Sequence, residues 1–156
     1  MKKWIFAVGC ACLCACGPRS IPGLEIDVPD TPDGRAIVEV LRRFQQAYEQ
    51  KDIEAIVALA ASGFFENCGN NDPSDDYDRD GLRQHFTEYF KSIEKPALTI
   101  TLKDVRLEKD RATVDYQFLA RYLMKLPSGE RWQVEDELQR MQLVKEDGTW
   151  KVVSGL

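Results

Sequence analysis

Two charged residues in an alternating segment, Asp136 and Arg140, have the types and spacing for chemistry. Trp132, Val134, Asp136, Leu138, Arg140 and Gln142 occupy every second position. In a pleated strand such residues share a face, so a carboxylate and a guanidinium stand among apolar neighbours. In a hollow they could orient a polar ligand, or Asp136 could abstract a proton. Met141 and Leu143 argue for the opposite parity, under which a bulge flips the strand and both charges face water. Residues four apart on one strand have Cα atoms roughly 13 Å apart, which disfavours a direct Asp136–Arg140 pair. The water-facing reading leaves Asp136 solvent-accessible and gives it no chemistry.

His85 is the single histidine. Without clustered Cys or His partners it does not make a zinc site, which leaves a surface or half-buried polar role, or general acid–base work. Asp76-x-Asp78-x-Asp80-Gly81 copies the first half of an EF-hand calcium loop, but Thr87 stands where the bidentate Glu belongs, Glu88 is one place late and Arg83 occupies an ordinarily apolar position. The rival account is a helix entrance capped by Asp78 or Asp80. Neither a metal nor a cofactor is expected. Cys68 is expected to be a buried, inert thiol, because no base is identifiable beside it. Phe44, Tyr48, Tyr116, Phe118, Tyr122 and Trp150 read first of all as core.

The elements that must position these groups follow from periodicity. Thr31 and Pro32 start a helix whose stripe is Ile37, Val40, Leu41, Phe44 and Tyr48. Asp52 caps a short second helix through Ile53, Ile56 and Val57, ended by Ser62-Gly63. A short strand at Phe64 to Cys68 and a polar loop precede a third helix, roughly Gly81 to Glu94, stopped by Pro96. Beyond Pro96 the period becomes two, with a bulge near Lys103-Asp104 and turns at Lys109-Asp110, Pro127-Ser128-Gly129 and Asp147-Gly148. Helices first and an antiparallel meander afterwards predict an α+β domain.

The N-terminus carries an address. Lys2 and Lys3 precede an apolar run from Trp4 to Leu13, too short to span a bilayer as a helix, and small residues follow. Cys10, Cys12, Cys14 and Cys16 crowd there, so they are not a disulfide framework. Leu13-Cys14-Ala15-Cys16 resembles the lipobox of bacterial lipoproteins. The resemblance implies a signal peptide at 1–15, cleavage before Cys16, and diacylglyceryl on its sulfur with acylation of the new amine. An ordinary signal peptide cut after Ala15, or an uncleaved anchor, is the plainer alternative. Residues 16–33, with Pro18, Pro22, Pro29 and Pro32, read as a flexible tether, and 34–156 as the domain. Gly17 is not the Asp associated with inner-membrane retention, so the resemblance implies a cell-envelope protein, facing the periplasm from the outer membrane in a Gram-negative cell. Removing 1–15 takes two of the 21 cationic side chains and none of the 26 acidic ones, moving the net charge from −5 to −7. That balance disfavours nucleic acid and offers nothing to anionic headgroups, so membrane attachment rests on the lipid at Cys16.

The domain resembles the nuclear transport factor 2-like superfamily, which includes SnoaL-like and ketosteroid-isomerase-like domains. The residues carrying the likeness are Phe44-x-x-Ala47-Tyr48-Glu49-x-x-Asp52, Arg79-Asp80-Gly81-Leu82, and Leu143 to Val152. It implies three N-terminal helices packed on a curved antiparallel sheet, a cone-shaped half-barrel with a pocket on its concave face. Candidate lining residues are Tyr48, His85, Tyr89, Tyr116, Trp132, Asp136 and Arg140; no family catalytic dyad can be placed. The expected function is binding of a small molecule or an envelope protein without catalysis. An isomerase- or dehydratase-type enzyme is the alternative, and an assembly or secretion accessory without ligand is a third reading. Replacing Cys16 by Ser is expected to abolish acyl labelling and recovery in the membrane fraction, with unchanged labelling excluding lipidation at this residue.

Overall fold

The computed structural model describes residues 19–69 and 72–156, so the signal segment and Cys16 lie outside the described residues. The first helix begins where the sequence supplies its own cap. Thr31 accepts from the Gly34 amide at 3.0 Å ahead of α1 (Pro32–Gln50), and Pro32 fills a first-turn position where a missing N–H leaves no bond unmade. Ile37, Val40, Leu41, Phe44, Ala47 and Tyr48 are buried along one face, each large apolar side chain contributing about 1.5–3 kcal/mol by leaving water. At the exit Lys51 adopts a left-handed φ of 55°. Its ammonium donates to the Phe90 carbonyl at 3.0 Å and to the Ile93 carbonyl, fastening α1 to the end of the third helix.

Asp52 caps α2 (Ile53–Leu59) by accepting from the Ala55 amide at 3.0 Å. The chain then joins the sheet edge, the Ala61 amide donating to the Val152 carbonyl at 2.7 Å. A two-residue ladder pairs β1 (Phe65–Glu66) with β2 (Tyr77–Asp78). Asp78 accepts from the Asp80 and Gly81 amides at 3.1 and 3.0 Å and so opens α3 (Arg79–Ser92). Half of the calcium-like motif is therefore the helix entrance. Among the described residues no three His, Cys, Asp or Glu side chains are placed to hold a metal ion.

The third helix stops before Pro96. Ile93 is already extended and begins β3 (Ile93–Glu108), while Lys95, at φ 49°, precedes Pro96 in a bulge between Glu94 and Ala97. A bulge is where a strand tolerates a residue without an N–H. A second irregularity between Leu102 and Asp104 falls where the alternation had broken. The meander continues through β4 (Arg111–Leu126), β5 (Gly129–Glu146) and β6 (Thr149–Ser154) in the order β3-β4-β5-β6. Bulges bend and twist β3, and the helices pack on one face of the sheet against Leu98, Val114, Tyr116, Ala120, Met141, Leu143 and Val152. The architecture is α+β, three helices on a four-stranded antiparallel sheet.

The expected tether is folded from residue 19 onward. Ser20 bridges to Pro29, the Ile21 amide donates to the Val28 carbonyl at 2.9 Å, and Val28 is fully buried. The proline count suggested a spacer, but Val28 is buried and the segment is held to the start of α1, where Arg35 donates to Asp30 at 2.9 Å and Pro29 lies against Gly34. Gly34 makes the close approach possible, since a Cβ there would lie 2.2 Å from the Pro29 carbonyl oxygen. Gly34→Ala is expected to lower stability by about 1–3 kcal/mol, the usual cost of overpacking, measured as a shift in denaturant midpoint, with faster hydrogen exchange at the Ile21 amide.

Candidate functional site

Between α1, α3 and the inner face of β4–β5 lies a cavity of about 550 Å³, closed at one side by the β1–β2 ladder and the chain after β6. Its size falls within the range of small-molecule sites. Phe44 and Tyr48 reach it from α1, His85, Phe86 and Tyr89 from α3, Tyr116 and Phe118 from β4, and Glu135 and Gln139 from β5. The i, i+4 spacing of Phe44/Tyr48 and His85/Tyr89 aims each pair along one helical face.

Tyr48 is 1 % exposed and meets Phe44, Phe90 and Phe118 edge-on. Its hydroxyl and that of Tyr89 lie 2.6 Å apart. Burial pushes both phenols well above the ordinary tyrosine range. Next to them stands the Glu135 carboxylate, which accepts a long bond of 3.4 Å from the Tyr122 hydroxyl and is also engaged by Tyr89. Desolvation, with a smaller contribution from Glu137, raises the Glu135 pKa above the ordinary 4.5 despite those donors. His85 stacks on Tyr77 at 5.1 Å and on Tyr89 at 6.4 Å, and its enclosure by those rings lowers its pKa, favouring the neutral imidazole. At the far wall Glu66 accepts from the Gly155 amide at 2.5 Å, and the Tyr116 hydroxyl donates to the Gly155 carbonyl at 3.2 Å.

The structure brings Tyr48, His85, Tyr89 and Tyr116 together around the cavity, but not Trp132 or Asp136. The β4–β5 pairing runs unbroken from Arg111↔Val144 to Leu126↔Gly129. The parity set by buried Met141 and Leu143 therefore continues through Gln139 to Glu135, and the alternate set faces outward. Trp132 is 60 % exposed there, and Asp136 accepts from Gln117 at 2.7 Å on the same outer face. Arg140 touches the cavity wall, but its guanidinium grips Asp115 at 2.6 and 3.0 Å. Reading Trp132, Val134 and Leu138 as inward-facing assigned β5 its apolar side wrongly. Glu135 and Gln139 were missed although counting back in twos from Met141 and Leu143 reaches both. Cys68 is exposed at the cavity mouth, not buried, and desolvation with the carboxylates of Asp75, Glu66 and Asp76 raises its pKa, so the thiol is not activated.

The fold, three helices on a four-stranded antiparallel sheet, is shared with a set of solved structures. Solved structures sharing it include a conserved protein from Planctomyces limnophilus at TM-score 0.67 and 12 % identity, covering 79 % of this chain and 92 % of that one. A ketosteroid isomerase-like protein from Erwinia carotovora superposes at TM-score 0.65 and 17 % identity over 78 % of this chain and 91 % of its own. A protein with a cystatin-like fold from Nostoc punctiforme does so at TM-score 0.61 and 17 % identity, covering 80 % and 90 %. At such identities the likeness concerns the fold alone. No protein-family model and no curated protein matches the sequence.

A raised carboxyl pKa has a definite sign in stability. The folded state holds the Glu135 proton more tightly than the unfolded chain, so this group's contribution falls as pH climbs from the unfolded value through the folded one. Glu135→Gln is expected to remove that fall, flattening the stability–pH curve over the same window. An NMR titration of Glu135 with a midpoint at or below 4.5 would contradict the assignment. Asp136→Asn, on the outer face, is expected to leave stability within about 0.5 kcal/mol.

Proposed function

We propose that this chain is a lipid-anchored cell-envelope protein whose cone cavity binds a small molecule. The cavity carries the binding part: about 550 Å³ of space, with seven Phe and Tyr rings in its walls beside convergent polar groups. The Leu13-Cys14-Ala15-Cys16 sequence supports the address, and among the described residues no helix is long and apolar enough to cross a membrane. The ketosteroid isomerase-like neighbour supports a ligand-holding use of the same hollow.

One observation favours a second reading, an isomerase-type enzyme. Glu135, an acid with raised pKa, stands beside three tyrosines, an arrangement that suits proton transfer at a bound carbonyl compound. On that reading solvent deuterium enters bound ketones in the wild type and not in Glu135→Gln.

The binding proposal is tested by thermal-shift screening of a metabolite library against the wild type and Gln139→Trp, which fills the cavity. A ligand selective for the native state raises the melting temperature. Compounds stabilising the wild type are expected to lose their effect in Gln139→Trp; equal stabilisation of both, or no stabilising compound, rejects the cavity as a binding site.

A further inference from the structure

The charges and donors around the cavity are lopsided. Its walls carry two carboxylates, Glu66 and Glu135. Among the described residues one guanidinium reaches it, that of Arg140, and it is neutralised by Asp115 on the outer face. His85 is held toward its neutral form by enclosure. An anionic ligand would lose its hydration and find no free positive partner among the described residues of these walls.

The hydroxyls point the same way. Tyr48 and Tyr89 share one hydrogen bond, and both Tyr89 and Tyr122 engage Glu135. One of the Tyr48 and Tyr89 protons is used in the bond between them and the Tyr122 proton is directed at Glu135, so few of these protons are left for a ligand while acceptor oxygens remain. A ligand oxyanion would have to compete for those protons, whereas a ligand cation would not.

The aromatic rings supply the rest. Tyr48, Tyr89, Phe44, Phe86 and Phe118 line the space from three elements. Ring faces attract cations through their quadrupoles, most strongly where water is excluded. A carboxylate made unstable by burial is the group that gains most from a bound counter-charge.

We propose that the cavity takes an amine or quaternary ammonium group carried on an apolar body. This rests on the small-molecule reading above and narrows it to a ligand class. The cation would sit between Glu135 and the rings of Tyr48, Tyr89 and Phe118, with its apolar part against Phe44 and Phe86.

Three probes of similar shape separate the possibilities: benzyltrimethylammonium, its uncharged carbon analogue neopentylbenzene, and the anion phenylacetate. Binding to the full chain is measured by calorimetry and melting temperature. The quaternary cation is expected to bind at least tenfold more tightly than the neutral analogue, and phenylacetate more weakly than either. Because benzyltrimethylammonium does not titrate, its affinity reports the protein. The groups facing Glu135 are Tyr122 from β4, Tyr89 and, behind it, Tyr48 from the helices, and Glu137 from β5. The tyrosines stay neutral across the acidic range because their pKa values are raised. Affinity should therefore rise with pH as Glu135 loses its proton, and the rise should be smaller in Glu135→Gln, whose fold is checked by circular dichroism and in which Glu66 and His85 still titrate in the walls. Phe118→Leu should weaken the cation more than the neutral probe. Tight binding of neopentylbenzene with no cation preference overturns the inference and leaves the binding proposal standing. Binding of none of the three overturns it as well, and the library screen then decides the binding proposal separately. Cation binding that survives Gln139→Trp places the site elsewhere and also rejects the inference.

Discussion

A phenol buried to 1 % exposure must find a partner for its hydroxyl, and Tyr48 is the residue on which helices and sheet converge to provide one. Its ring meets Phe44 within α1, Phe90 from α3 and Phe118 from β4, while its hydroxyl reaches Tyr89. Three elements are thereby fixed around one side chain. The Lys51 ammonium, bound to carbonyls at the end of α3 and the start of β3, secures the same junction from the helix ends. The cavity opens beside this cluster, and aromatic side chains that line it also belong to the core.

The two faces of the sheet handle charge differently. Outside, Asp115 is shared by Arg106 and Arg140 in water, where such ion pairs contribute little and a substitution is tolerated. Inside, Glu135 has only tyrosine hydroxyls as partners, and its charge is destabilised by desolvation. A carboxylate is thus ion-paired on one face of the sheet and desolvated on the other, depending on which way the pleat carries it.

At the N-terminal side, the described residues open with the Ser20–Pro29 bridge. Under the proposed anchoring at Cys16, three Cα steps of 3.8 Å bring the chain to Arg19, so the domain would begin within roughly 11 Å of the lipidated residue.

The sequence by itself determined what depends on neighbours along the chain. The Thr31 and Asp52 caps, the amphipathic stripe of α1, the turns at Lys109-Asp110 and Asp147-Gly148, and the irregularity at Lys103-Asp104 are local, and all could be read from spacing. The α+β class followed from the change of period after Pro96. Tertiary structure decided the rest. Which face of β5 is buried depended on pairing with β4 along its whole length, and only that register put Glu135 inside and Asp136 outside. Burial of Val28 came from packing that composition does not show, which made a folded segment of what composition presented as a tether. The Tyr48–Tyr89 hydroxyl contact joins residues 41 positions apart, and the meeting of Glu135 with tyrosines from other elements is likewise a property of packing. Charge and period are written along the chain, whereas desolvation, which shifts the Glu135 pKa, exists only once the chain has enclosed a volume.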